Sequence, residues 1–266
     1  AHIPWGLMYR SAPVTGQPVD PTLFLGLRYR ISYTAHVVQA PSRALGSVDE
    51  SHVVALLYWG QQPQDPTGLE ARWQENQLKI WPTQIFVPST SSTDAPKAQL
   101  VQMLNMPGPS PVTVLYFFCQ SSGSGNDPVL RFGDTAQDTD MLDRTEWGQT
   151  AFADRPIVFA NACTTATSDP YIANELERAF FNRQCRAYIG TESKVPIPLA
   201  SRFAFIFFNF LYRKVDPEPM AAGEAVAQTR LFLWTQYKNI GGLLYTYINQ
   251  YELYMAKNSE LMKLKL

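Results

Sequence analysis

Apolar residues in this chain fall into short runs separated by stretches with helical spacing. The runs Val53 to Trp59, Val112 to Cys119, Pro156 to Ala162 and Arg186 to Gly190 are rich in β-branched and aromatic residues. They stop at Gly, Pro or small polar residues, and Thr83 to Val87 is a fifth segment of this kind, closed by Pro88. Runs of this length without alternation predict strands buried on both faces of a parallel sheet. Helices are predicted between them. Leu69 to Leu78 has helix formers, with Leu69, Trp73 and Leu78 able to share a face. Asp94 suits an N-cap and Pro96 the first turn of a helix reaching Asn105. From Tyr171 to Arg183, Ile172, Leu176, Ala179 and Phe180 recur at helical spacing. This alternation from 53 to 190 predicts an α/β fold, a mostly parallel central sheet with helices on both faces.

The flanks are less regular. Residues 1–48 read as an opening segment with edge strands. Within it Leu25 to Tyr33 alternates apolar with polar residues, as a half-buried edge strand or hairpin arm does, and Gln39 to Glu50 reads as loop. Gly123 to Trp147 is long and polar, with a small hairpin expected at Pro128 to Asp134 and a helical turn at Met141 to Trp147. Pro198 to Val215 predicts a helix with aromatics almost all round, which must be buried or covered by a partner. Ala221 to Tyr237 predicts another helix, Asn239 to Gly242 a turn, and Leu243 to Met255 an edge strand. Lys257 to Leu266 reads as a short helix or a frayed tail.

Composition narrows the classes. With 266 residues, 45% apolar and 13% aromatic, the chain can bury one large core, so residues 1–266 are expected to form a single domain. The net charge of −1 argues against nucleic acid or an anionic membrane surface as the main partner. Ala1 to Trp5 lacks the basic and apolar regions of a signal peptide. The longest greasy run, Phe203 to Tyr212, is well short of the ~20 residues that span a bilayer. Three cysteines without framework spacing suggest a reducing, cytoplasmic setting.

Chemistry on an open parallel sheet gathers just beyond the carboxyl ends of its strands. Gln120 and Cys163 both occupy such ends. A thiol at 163, ahead of a Thr/Ser-rich loop and the helix from 171, could have its pKa lowered by the positive end of that helix. It could equally be an ordinary buried cysteine. A cysteine nucleophile needs a base, usually histidine. The three histidines, His2, His36 and His52, all precede or begin the first buried strand. His52 begins it, at the wrong edge of the sheet. No His/Cys/Asp/Glu cluster has metal spacing, and no cofactor motif is found; Ser121 to Gly125 has the glycines of a phosphate loop but lacks the lysine. Glu192 and Lys194 either border the same cleft or form a solvated loop pair. Cys119 reads as core, its side chain opposite in direction to that of Gln120, and Cys185 as structural.

Several segments, in order, resemble one family. Ile3-Pro4-Trp5 is similar to an opening Pro-Trp motif, and Leu25 to Tyr33 to an early strand. Leu115 to Ser121 resembles the strand that ends in a His-Gly pair. Asn161-Ala162-Cys163 with Thr165 resembles an Ala-Cys-x-Thr motif. Ala187 to Glu192 with the aromatic helix after it, and then Leu243 to Leu253, resemble the next strand and helix and a closing strand. Together they resemble the CHAT domain, the caspase-like domain often found behind tetratricopeptide or other repeats in bacterial proteins.

The resemblance implies a caspase-like three-layer fold, with Cys163 at the nucleophile position. The family's catalytic His falls on Gln120 and the following Gly on Ser121. Glutamine has no titratable nitrogen and cannot take a thiol proton. Losing one member of a catalytic unit costs ~10⁴–10⁶-fold in triad enzymes. The expectation is a catalytically inactive or impaired pseudo-peptidase. It would act by binding peptide or protein, including repeat domains of its own parent protein, in a cleft bordered by Ser121, Asn161, Thr164, Thr165 and Glu192. The alternative is an active cysteine endopeptidase with Cys163 as nucleophile and a base supplied from elsewhere.

Overall fold

The computed structural model describes residues 5–10, 15–34, 44–47, 52–57, 69–81, 83–86, 111–122, 129–131, 141–142, 151–162, 175–212, 220–249 and 252–256. In chain order the strands are β1 (Tyr33–Thr34), β2 (Ala44–Ser47), β3 (His52–Leu57), β4 (Thr83–Phe86), β5 (Val112–Phe118), β6 (Gln120–Ser122), β7 (Val129–Arg131), β8 (Met141–Leu142), β9 (Ile157–Asn161), β10 (Ala187–Thr191), β11 (Tyr245–Asn249) and β12 (Tyr254–Ala256). The α-helices are α1 (Leu25–Arg28), α2 (Leu69–Leu78), α3 (Glu175–Asn182), α4 (Ile197–Leu211) and α5 (Ala222–Tyr237).

A seven-stranded sheet in the order β1-β11-β10-β9-β5-β3-β4 forms the middle layer. From β10 through β9, β5 and β3 to β4 every pairing is parallel. Only β11 reverses, antiparallel to β10, and β1 then runs parallel to β11. Every residue of β5, β9, β10 and β11 is buried, as unbroken apolar runs require when both faces are covered. The two-residue period of a strand sends alternate side chains to opposite layers. Val53, Val114, Tyr116, Phe159, Ile189 and Tyr247 join a core closed by α2, α4 and α5. Val54, Leu115, Phe117, Val158 and Tyr188 join a second core with Leu176 and Phe180 of α3.

Phe159 sits at the centre of the larger core. Its ring centroid is 5.1 Å from that of Tyr116, 5.5 Å from Phe207 and 6.1 Å from both Phe203 and Tyr245. Phe203 and Tyr245 stack at 3.6 Å. Most aromatics of α4 are thus spent inside the domain. Pro198 falls in its first turn, where a missing N–H costs nothing.

Several expectations are corrected. Leu25–Arg28 is a helical turn, and only Tyr33–Thr34 of that stretch is strand. Gly26 explains the turn: a Cβ there would lie 2.8 Å from the Gly6 Cα, so the helix backbone packs directly on the Trp5–Leu7 turn. Ala44–Ser47, read as loop, pairs parallel with β12. The stretch Leu243 to Met255 is not one edge strand. It divides into β11, interior because β1 lies outside it, and β12, with a 3-10 turn at Ile240–Leu244 before them. Leu69 is exposed, and α2 buries Ala71 and Gln74 beside the expected Leu78. Met141–Leu142 is strand rather than helical turn. The helix expected from Pro96 to Asn105 and the tail from Lys257 lie outside the described residues.

Candidate functional site

The parallel strands β5, β9 and β10 end side by side at Phe118, Asn161 and Thr191. Phe118 is the register partner of Asn161. Beyond β5 the chain passes through Cys119, which is buried, and enters β6 at Gln120. Strand structure thus resumes just past the Cys119 end expected from sequence. Backbone pairing sets Gln120 opposite Arg131, Ser121 opposite Leu130 and Ser122 opposite Val129, while β7 pairs with β8 on its other side. Gln-Ser-Ser carries no strand signal of its own. The pairing is anchored by Leu130, which is fully buried in the second core.

Beyond β9, Cys163, Thr164 and Thr165 lie outside the described residues, as do the side chains of Gln120 and Ser121. What holds the chain up to Ala162 is well defined. Asn161 is only 3% exposed. Its Nδ2 donates to the Tyr116 hydroxyl (2.9 Å) and to the Ala200 carbonyl (2.9 Å), and its Oδ1 accepts from the Tyr245 hydroxyl (2.7 Å). Tyr116 in turn donates to Gln74 Oε1 (2.8 Å), Gln74 Nε2 donates to the Ser201 carbonyl (2.5 Å), and the Ser201 hydroxyl donates to Glu70 (2.6 Å). The amide of Asn161 thus bonds three protein groups and braces the strand end against α4 and β11. The next carbonyl, of Ala162, accepts from Thr191 Oγ1 at 2.6 Å. The two residues ahead of position 163 are therefore tied to β5, α4, β10 and β11.

Burial pushes the Tyr116 phenol far above its ordinary range, against the opposing hydrogen bond from Asn161. It stays a neutral donor at any working pH. Tyr116, Tyr245, Gln74 and Thr191 were not singled out from sequence. The signal available was a polar side chain inside an otherwise apolar element, Tyr116 within Val-Thr-Val-Leu-Tyr-Phe-Phe being the plainest case.

On the far side of β10, the Glu192 N–H donates to the Leu244 carbonyl at 2.8 Å, and its carboxylate accepts from the Thr246 hydroxyl. Arg230 of α5 is buried beneath, with Nη2 donating to the Tyr245 carbonyl at 2.5 Å. Burial pulls its pKa down to about 10, partly offset by the nearby Tyr33 and Glu192, so it stays charged at neutral pH. Lys194 is exposed.

His52 opens β3 opposite Val112, the first residue of β5. In a parallel sheet that is the end away from Phe118 and Asn161. His2 and His36 lie outside the described residues. Among the described residues no three His, Cys, Asp or Glu side chains cluster as metal ligands would, and no helix is long and apolar enough to cross a membrane.

No protein-family model matches this sequence, and no curated protein does either. Solved structures are similar in fold. A chain of the Saccharomyces cerevisiae separase–securin complex aligns over 82% of this chain with a TM-score of 0.50 and 11% identity. The Arg-specific cysteine proteinase gingipain R aligns over 79% with a TM-score of 0.51 and 14% identity. The fold is caspase-like. The alignment takes in 13% of the separase chain and 48% of the gingipain chain, so this domain spans less than half the length of either.

Proposed function

We propose that this chain is a CHAT-like pseudo-peptidase module of a larger bacterial protein. In this reading Cys163 stands at the nucleophile position of a caspase-like fold, Gln120 stands where the base would be, and the module works by holding peptide or protein. The supporting observation is the β5–β9 register. Phe118 faces Asn161, and positions 120 and 163 each follow two residues later. Two residues of chain reach no more than about 7 Å, which supports reading both positions at one rim of the sheet. An amide on that rim accepts or donates a hydrogen bond but cannot carry a thiol proton away. The brace under Asn161 and Ala162 favours a preformed rim. Ser121, Thr164, Thr165 and Glu192 border the cleft in this reading. A bound strand would take its affinity from backbone hydrogen bonds and its specificity from alternate side chains.

Thiol reactivity tests it. Cys119 and Cys185 are buried, so iodoacetamide labelling of the folded protein, mapped by peptide mass, reads position 163 separately. Labelling at pH 6.5 no faster than free cysteine is the expected result. Labelling many-fold faster would reveal an activated thiolate and favour the alternative, an active cysteine endopeptidase.

A further inference from the structure

Away from the strand ends, the outer side of the helical layer carries a cavity of about 650 Å³, within the range of small-molecule sites. α2, α4 and α5 build it, with Trp73, Arg202, Phe205, Phe210, Phe232 and Tyr237 in its wall. The rings brace one another. Phe205 meets Trp73 edge-on at 5.5 Å, Phe210 meets Phe232 at 6.3 Å, and Phe232 meets Tyr237 at 6.1 Å. Phe232 is 37% exposed and Tyr237 60%, so part of this apolar lining faces solvent.

Arg202 is the charged group among the lining residues. Its guanidinium lies 3.8 Å from the Trp73 ring centroid. Stacking uses a face of the guanidinium and leaves its N–H edges, which lie in the plane, for acceptors. Nη1 is buried and has no hydrogen-bond partner among the described residues. Asn209 of the cavity wall turns its Nδ2 back to the Phe205 carbonyl. A buried donor without an acceptor is destabilising, and an ionised one more so. Arg202 presents the cationic group to this cavity, and the planar fork of arginine fits a carboxylate best.

We propose that this cavity binds a small apolar carboxylate, an alkyl or aryl acid, with its carboxylate on Arg202 and its body among the rings of Trp73, Phe205, Phe210 and Phe232. The site is separate from the strand-end cleft and does not depend on the reading of Gln120.

Titration calorimetry with 2-naphthoate and octanoate, against 2-naphthylmethanol and octanol as neutral counterparts, tests it. Each acid is expected to bind about tenfold or more tightly than its alcohol, the worth of a charge-assisted hydrogen bond. Arg202→Gln should abolish that preference and leave the alcohols unchanged. Phe232→Ser, at a half-exposed position, should weaken acids and alcohols alike. Equal binding of acid and alcohol, no binding of either, or acid binding that survives Arg202→Gln overturns the proposal. So does sedimentation showing that this face instead joins two copies of the chain, with Phe232→Ser dissociating them.

Discussion

Replacing Asn161 by alanine is expected to destabilise the domain through one nameable group. The wild-type amide makes three hydrogen bonds in a region with almost no solvent access. Two of its partners survive the loss. The Tyr116 hydroxyl still donates to Gln74, and the Ala200 carbonyl lies in the first turn of α4, where the helix itself supplies a donor. The Tyr245 hydroxyl, fully buried, loses the acceptor that Asn161 Oδ1 provides, at a cost of ~1–3 kcal/mol. The void left by the shortened side chain adds roughly 1 kcal/mol. The sum is about 2–4 kcal/mol, read as a drop in the urea midpoint at constant slope. Tyr245→Phe alone should cost about 1–2 kcal/mol, because it strands Asn161 Oδ1 instead. The double variant should then fall short of the sum by ~1 kcal/mol or more, since each single change orphans the group the other removes. Additivity to within ~0.4 kcal/mol, or an Asn161→Ala cost below ~0.5 kcal/mol, would refute the claim that this amide braces the strand end.

Three other outcomes follow from the geometry. Phe159→Ala, at the hub of the ring cluster, should cost ~3–5 kcal/mol in denaturant unfolding; a loss under ~1.5 kcal/mol would mean the core closes up. Gln184 is exposed and holds φ of 65° just after α3, so Gln184→Gly should raise stability by up to ~1 kcal/mol and Gln184→Val lower it, both read in thermal melts. Burial, with Glu177 adding to it, holds the Cys185 thiol well above its ordinary pKa. The folded state therefore keeps its proton when the unfolded state begins to lose one, near pH ~8.5. The stabilising contribution is complete below that value and falls as pH rises toward the folded pKa, and Cys185→Ala should flatten the decline.

What could be read from sequence divides by whether the cause is local. β5, β9 and β10 were legible because strands buried on both faces leave unbroken apolar runs. The ends of α2, α4 and α5 came within a few residues, helped at α4 by Pro198. Pairing decided what was missed. Gln120–Ser122 becomes a strand because Val129 and Leu130 are beside it, and Tyr245–Asn249 is interior because Tyr33–Thr34 arrives from far away in the chain. Leu25–Arg28 alternates like a strand yet coils, because Gly26 lets the backbone press on Gly6. At the strand ends, sequence pointed to positions 120, 161 and 163 but not to the support beneath them. Gln74 sits on the buried side of α2, where an apolar residue would be expected, because its amide joins Tyr116 to Ser201.

Cleavage of a mixed peptide library by the wild type, Gln120→His and Cys163→Ala, all measured together, probes the proposed function most directly. Wild type no faster than Cys163→Ala, with turnover gained in Gln120→His, is the expected pattern. Wild-type cleavage that disappears in Cys163→Ala would contradict it, since a working base would then serve the sulfur without an imidazole at position 120.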